Sequence, residues 1–127
     1  MEEKILSSFV PSQIMSQSGW NFKKSWQGTL DLSVWLKASL KKEGRLYLFL
    51  EYQDREGKRS IPVDRCMSGG SQSLLLNGRV NMSGSGPLEV FQVKVKYEGC
   101  STPVVAEELT VKFLGETSGA KTLRVAV

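Results

Sequence analysis

The sequence contains no histidine and only two cysteines in 127 residues. Without histidine there is no Ser-His-Asp or Cys-His catalysis and no histidine-ligated metal site. Cys66 and Cys100 stand outside any C-x-x-C pattern, so a zinc centre is not expected, and no motif calls for another cofactor. No apolar run approaches the roughly 18 residues that a membrane span needs, so no membrane insertion is expected. The acidic start, Met1-Glu2-Glu3, lacks the basic region of a secretory signal. These absences point to a cytoplasmic protein with two reduced thiols. If Met1 opens an excised domain, the expected location is extracellular.

Catalytic groups are also scarce. No glycine loop of phosphate-binding pattern leads into a helix, and no helical period extends beyond a turn or two. Carboxylates occur in pairs, Asp54 with Glu56 and Glu107 with Glu108. A glycosidase needs two carboxyls facing one cleft. Glu107 and Glu108 are neighbours on an expected strand and so are predicted to point to opposite faces. The expected roles are solvated charge and turn formation, and the chain is not expected to be an enzyme.

A net charge of +4 and a pI near 9.2 could favour an anionic partner. The cations, however, fall in scattered pairs, Lys23-Lys24, Lys41-Lys42 and Lys58-Arg59, each near an expected turn. Trp35, Lys37, Tyr47 and Phe49 could form a nucleic-acid-binding sheet face. No RNP motif accompanies them, so nucleic acid is not expected. Asn81-Met82-Ser83 matches the glycosylation acceptor pattern and is discounted without an export signal.

What is abundant is alternation with period two, the mark of half-buried strands. It is clearest from Gly28 to Tyr52. Leu30, Leu32, Val34, Leu36 and Ala38 share one face, and Asp31, Ser33, Trp35 and Lys37 share the other. Lys41 to Gly44 is predicted to turn the chain into a second strand, Arg45 to Gln53. There Leu46, Leu48, Leu50 and Tyr52 alternate with Tyr47, Phe49 and Glu51. Both faces are partly apolar, which predicts a central strand or a partly covered second face. A tight turn at Asp54-Arg55-Glu56-Gly57 leads to a strand at Lys58 to Asp64, which Pro62 places at an edge.

Ile5 to Val10 is a short first strand, and Ser12 to Ser25 a loop carrying Trp20 and Phe22, with Trp26 just after. Those rings either plug one end of the core or form a ligand platform. Asn77-Gly78 lies within the apolar segment Leu74 to Ser83. It marks either a hairpin or a bulge in one continuous strand. Leu88 to Glu98 puts Phe91, Val93, Val95 and Tyr97 on one face, with Gln92, Lys94 and Lys96 opposite. Val105 to Leu114 puts Leu109, Val111 and Phe113 inward. A turn at Gly115 to Gly119 precedes a last strand with Leu123, Val125 and Val127. The fold class is therefore all-β. About eight strands joined by Gly, Pro and Ser turns predict a single antiparallel β-sandwich, of jelly-roll type, on which residues 1–27 pack.

Val34-Trp35-Leu36-Lys37, Tyr52-Gln53-Asp54 through Gly57, Leu76-Asn77-Gly78-Arg79-Val80 and Glu107-Glu108-Leu109 recur in the order of one family. Over Gly28 to Phe113 the chain resembles jelly-roll carbohydrate-binding modules of galactose-binding-like type. The family often carries two aspartates in its last strand where this chain has Glu107-Glu108. The resemblance implies a non-catalytic module that stacks aromatic rings on sugars. Candidate ligand-binding residues are Trp35, Tyr47 and Glu51 on the non-core face and Trp20 and Trp26 from the loop. Gln92 and Lys94 join them if their strand shares that sheet. The alternative is a protein-interaction or assembly component, homo-oligomers included, that associates through a sheet face or edge.

Overall fold

The structure, a computed structural model, describes residues 2–67, 70–100, 103–114 and 121–126, with residues 15–17, 70–72 and 121–126 described by backbone alone. It is all-β and antiparallel apart from one short helix. The elements are β1 (Glu2–Ser8), α1 (Pro11–Ser18), β2 (Ser25–Asp54), β3 (Gly57–Cys66), β4 (Gly70–Ser85), β5 (Val90–Cys100), β6 (Val105–Leu114) and β7 (Lys121–Ala126). The turn expected at Gly115 to Gly119 lies outside the described residues.

One strand carries the architecture. β2 runs for 30 residues and pairs with four others. Its first half lies between β4 and β6, with β7 beyond β6. Its second half lies between β3 and β5, with β1 beyond β5. The hairpin turn expected at Lys41 to Gly44 is therefore not there. The two strands predicted on either side of it are one strand, and the described residues form seven strands where about eight were expected.

A straight strand of this length would extend about 100 Å. A compact chain of this size has a radius of gyration of only about 14 Å. The strand must therefore bend, and it does so where the turn was expected. Leu40 pairs with Cys100 and Arg45 with Glu98, so β2 spends extra residues at a bulged corner. Gly44 and Gly99 meet there. A Cβ on Gly44 would sit 2.8 Å from the Gly99 carbonyl oxygen, and Gly99 has φ of +68°. Only a residue without a side chain lets the two backbones approach so closely.

Alternation survives the corner. From Trp26 to Ala38 and from Leu46 to Asp54 the even-numbered side chains face inward, and both halves contribute to one hydrophobic core. Leu30, Leu36, Leu46, Leu48 and Leu50 are fully buried there. They meet Phe91, Val93 and Val95 of β5 and Leu109, Val111 and Phe113 of β6, as alternation in those strands predicted. Between the free sides of the two halves, the Asn77 N–H of β4 donates to the Asp64 carboxylate of β3 (3.0 Å).

β4 settles the choice left open at Asn77-Gly78. It is one continuous strand, paired with β2 from Ser25↔Ser85 to Leu40↔Gly70 without a register shift. Its flanks would be too short for a hairpin, whereas β2 offers a partner along the whole length. β3 is an edge strand as Pro62 implied, with a bulge at the next residue, Val63. The two-residue turn before it is also as expected, and Gly57 has φ of +125°.

The segment expected as a loop contains α1. Pro11 opens the helix, where its missing N–H costs nothing. The Gln13 side chain accepts the Val10 N–H (3.1 Å), and Gly19 at φ +72° ends it. The eight residues are held by tertiary packing, with Ile14 fully buried. Cys66 and Cys100 are half-buried and not joined in a disulfide, and burial raises the Cys100 pKa, helped by the charge of Glu2.

The corner generates a test. Gly44→Ala is expected to lower the unfolding free energy by about 1–3 kcal/mol in urea denaturation, because the obstructing atoms are backbone. An unchanged midpoint would show that the corner tolerates a side chain.

Candidate functional site

The seven candidate residues fall in three places. Trp35 stands alone on the outer face of the first half of β2. Tyr47, Glu51, Gln92 and Lys94 share the outer face of the second half. Trp20 and Trp26 lie at one end of the core. A single platform joining Trp35 to Tyr47 does not form, because the corner of β2 places them on different halves of the sheet.

The face around Trp35 is open. Trp35 is 42% exposed and stands between Leu75 of β4 and Glu108 of β6, with Leu75 43% and Val105 48% exposed. The adjacent cross-strand row, Asn77–Ser33–Thr110, is uncharged and polar. Ion pairs frame these rows. At one end Arg79 grips Asp31 with two hydrogen bonds (2.8 and 3.2 Å). That grip, against a smaller opposing effect of burial, holds the Asp31 carboxyl below its usual range. At the other end Lys37 pairs with Glu107 (3.7 Å).

Glu107 corrects an expectation. Glu107 and Glu108 do not alternate, since a bulge intervenes: Trp35 pairs with Glu108 and Leu36 with Ala106. The extra residue, Glu107, reaches Lys37 and Ser73, which are both exposed, and Glu108 is exposed as well. The bulge re-aims one carboxylate, which strand parity could not foresee.

The second outer face is largely covered by its own charges. Glu51 lies opposite Gln92 and Phe49 opposite Lys94, so Gln92 and Lys94 do share the sheet with Glu51. Glu51 and Lys94 are in direct ionic contact. Lys94 also reaches Glu3 of β1 (3.1 Å), and Glu51 reaches Lys58 of β3 (3.2 Å). Burial alone would raise the Glu51 pKa, but the hydrogen bonds from Lys94 and Lys58 together outweigh it and the pKa is lowered. The hydrogen bond to Glu51 raises that of Lys94 against the cost of burial. Lys96 lies over the ring of the buried Phe49 at 5.0 Å, and Tyr47 is half-buried. Gln92 donates to the Ser8 hydroxyl (3.2 Å). The ion pairs of Glu51 and Lys94 and the Gln92 hydrogen bond thus join β1, β5, β2 and β3 within the chain.

At the end of the core the aromatic residues form the plug that was one of the two expectations. Trp20 stacks on Trp26 (5.6 Å between centroids, 12° between planes) and meets Phe113 edge-on (5.5 Å). Phe22 packs edge-on against Trp26 at 5.1 Å. Trp26 is buried, and its Nε1–H donates to the Gly86 carbonyl (3.1 Å). Trp20 lies across Gly28, where any side chain would collide with the indole. Asp54, nominated as a turn-former, is buried below. It accepts the N–H groups of Glu56 (3.0 Å) and Ser85 (2.9 Å) and pairs with Arg59 (3.4 Å).

Sequence reasoning missed the space beside this plug. Trp20, only half-buried, forms one wall of an open groove of about 820 Å³, which also takes residues from β2, β4 and the end of β6. Asn21, Gln27 and Asn81, none of them nominated, line it. Segments far apart in sequence meet there, and no local pattern reports that.

Comparison of the chain with protein-family models, curated proteins and solved structures returns no match. Among the described residues no helix is long and apolar enough to cross a membrane.

The ionic cluster predicts a pH dependence. Glu51 has a lowered folded pKa, so its contribution to stability is complete above the usual glutamate value of 4.5 and is lost as pH falls through the folded value. Glu51→Gln is expected to cost about 1.5–3 kcal/mol near neutrality, the range for a hydrogen bond to a charged group. Thermal melts against pH should show the gap between variant and parent closing in acid. A constant gap would remove the ionised carboxylate from the account.

Proposed function

We propose that the protein is a non-catalytic binding module whose ligand class is carbohydrate. The observation that carries this reading is the solvent-open indole of Trp35 beside the uncharged row Ser33, Asn77 and Thr110. A pyranose offers an apolar C–H face and a rim of hydroxyls. An exposed ring with neutral hydrogen-bonding groups next to it complements both. The strand-pattern resemblance to jelly-roll carbohydrate-binding modules supports the same class. In this reading the sheet, folded over one core, serves as a sandwich-like scaffold that holds the indole in place.

A second reading rests on Leu75 and Val105. Leu75 lies opposite Trp35 and Val105 opposite Lys37, the next outward residue of β2; they do little for a sugar, yet they would enlarge an apolar contact with a protein. The two readings separate by substitution. In affinity electrophoresis through a panel of soluble polysaccharides, Trp35→Ala is expected to weaken retardation. Its thermal stability should change by no more than about 0.5 kcal/mol, as for an exposed site. Leu75→Ser is expected to keep the retardation. If no polysaccharide retards the parent protein, the carbohydrate reading fails. If instead Leu75→Ser and Trp35→Ala both break up a complex or oligomer seen by light scattering, the protein-interaction reading takes its place.

A further inference from the structure

The groove beside Trp20 has a property that composition makes improbable. Charged residues make up 24% of the chain, yet none of the described residues lining the groove is charged, although Lys23 and Lys24 stand in the adjoining backbone. The lining is amide, hydroxyl and apolar surface. Among these residues an anion would find no lysine or arginine, and a cation no carboxylate, so either would lose hydration without compensation from them. The volume falls within the range of about 300–1,000 Å³ usual for small-ligand sites.

The polar groups are also fixed in position. The Asn81 carbonyl oxygen accepts the Thr29 hydroxyl (2.9 Å), and the Asn21 carbonyl oxygen accepts the Lys23 N–H (3.0 Å). Each asparagine is thus held through its oxygen. Each keeps an NH₂ group with no partner among the described residues. Two oriented donors, with the Trp20 and Leu114 side chains as apolar wall, match a ligand rich in hydroxyl oxygens and poor in charge.

We infer that this groove is a second binding site, for an uncharged saccharide. The ligand class is the one proposed for the Trp35 face, but the site stands on its own lining. Thr29 at the groove and Trp35 are six residues apart on β2, about 20 Å along an extended strand. A short saccharide cannot reach both.

The test is a titration of the ¹⁵N-labelled protein with maltotriose, cellotriose, xylotriose and mannotriose, and with trigalacturonate as the anionic counterpart. At least one neutral trisaccharide is expected to shift the amide resonances of Asn21, Thr29, Asn81 and Ser83, and to do so equally in Trp35→Ala. Asn81→Asp keeps the oxygen that Thr29 needs but replaces the donor and adds charge. It is expected to weaken this binding about tenfold or more, as loss of one well-placed hydrogen bond does. Asn21→Asp should act in the same direction, so the result does not depend on one variant. The inference is overturned if no neutral trisaccharide moves these resonances, if trigalacturonate binds there more tightly, or if the shifts vanish in Trp35→Ala. In the last case the Trp35 face survives and the separate groove site does not. If the groove responds while Trp35→Ala leaves polysaccharide retardation intact, the groove stands and the Trp35 reading falls.

Discussion

The parity of one strand is the constraint on which the rest depends. β2 must keep its even-numbered side chains inward on both sides of a corner, because a slip of one residue would turn its leucines out to water. Each leucine buried on β2 contributes about 1.5–3 kcal/mol relative to exposure. The net stability of a domain is only about 5–15 kcal/mol. A register error along half of β2 would therefore cost as much as the whole fold gains. The corner keeps parity by adding residues on one side of the β2–β5 ladder and by bringing Gly44 against Gly99. Four partner strands take their register from β2, so each partner's inward face follows from this one choice.

Parity also sorts the surface. The odd-numbered residues of β2 form two outer faces that the corner separates. In the second half, ions from four strands close over the sheet, with Glu51 and Lys94 at their centre. Breaking such a cluster strands a half-buried charge, so it holds β1 and β3 in place more than it serves recognition. In the first half the ion pairs stand at the ends of the face and leave Trp35 uncovered. The same device, cation against carboxylate, covers one face and frames the other.

Much of this was legible in residues that obey period two. The inward sets on β5 and β6, the edge position of β3 and the turn at Asp54–Gly57 follow from alternation, from proline and from glycine. The corner was not legible, because Lys41-Lys42-Glu43-Gly44 has the composition of a turn. What overrides composition is pairing on both sides of the bend, which lies far away in sequence. α1 was missed for the opposite reason. Its signals are local, Pro11 at the start, Gln13 reaching back and Gly19 at the end, but its serine-rich interior has no apolar period to reveal it. Among the candidate site residues, parity placed Trp35, Gln92 and Lys94 on outer faces. It could not show that Glu51 and Lys94 satisfy each other, or that Trp26 serves the core.

The charge of the chain follows the same logic. A pI near 9.2 invites a search for an anionic partner, yet the cations that lie on the sheet are largely matched by carboxylates. Arg79 has Asp31, Lys37 has Glu107, Arg59 has Asp54 and Glu56, and Lys94 has Glu3 and Glu51. Both surfaces proposed for a ligand present neutral polar side chains. One is the Trp35 row with Ser33, Asn77 and Thr110, and the other is the groove lined by Asn21 and Asn81. Specificity on such surfaces comes from hydrogen-bond geometry and apolar contact rather than from attraction at a distance. The excess cations at the turns then act on solubility and encounter, and the chemistry of recognition rests with the neutral side chains that β2 holds in register.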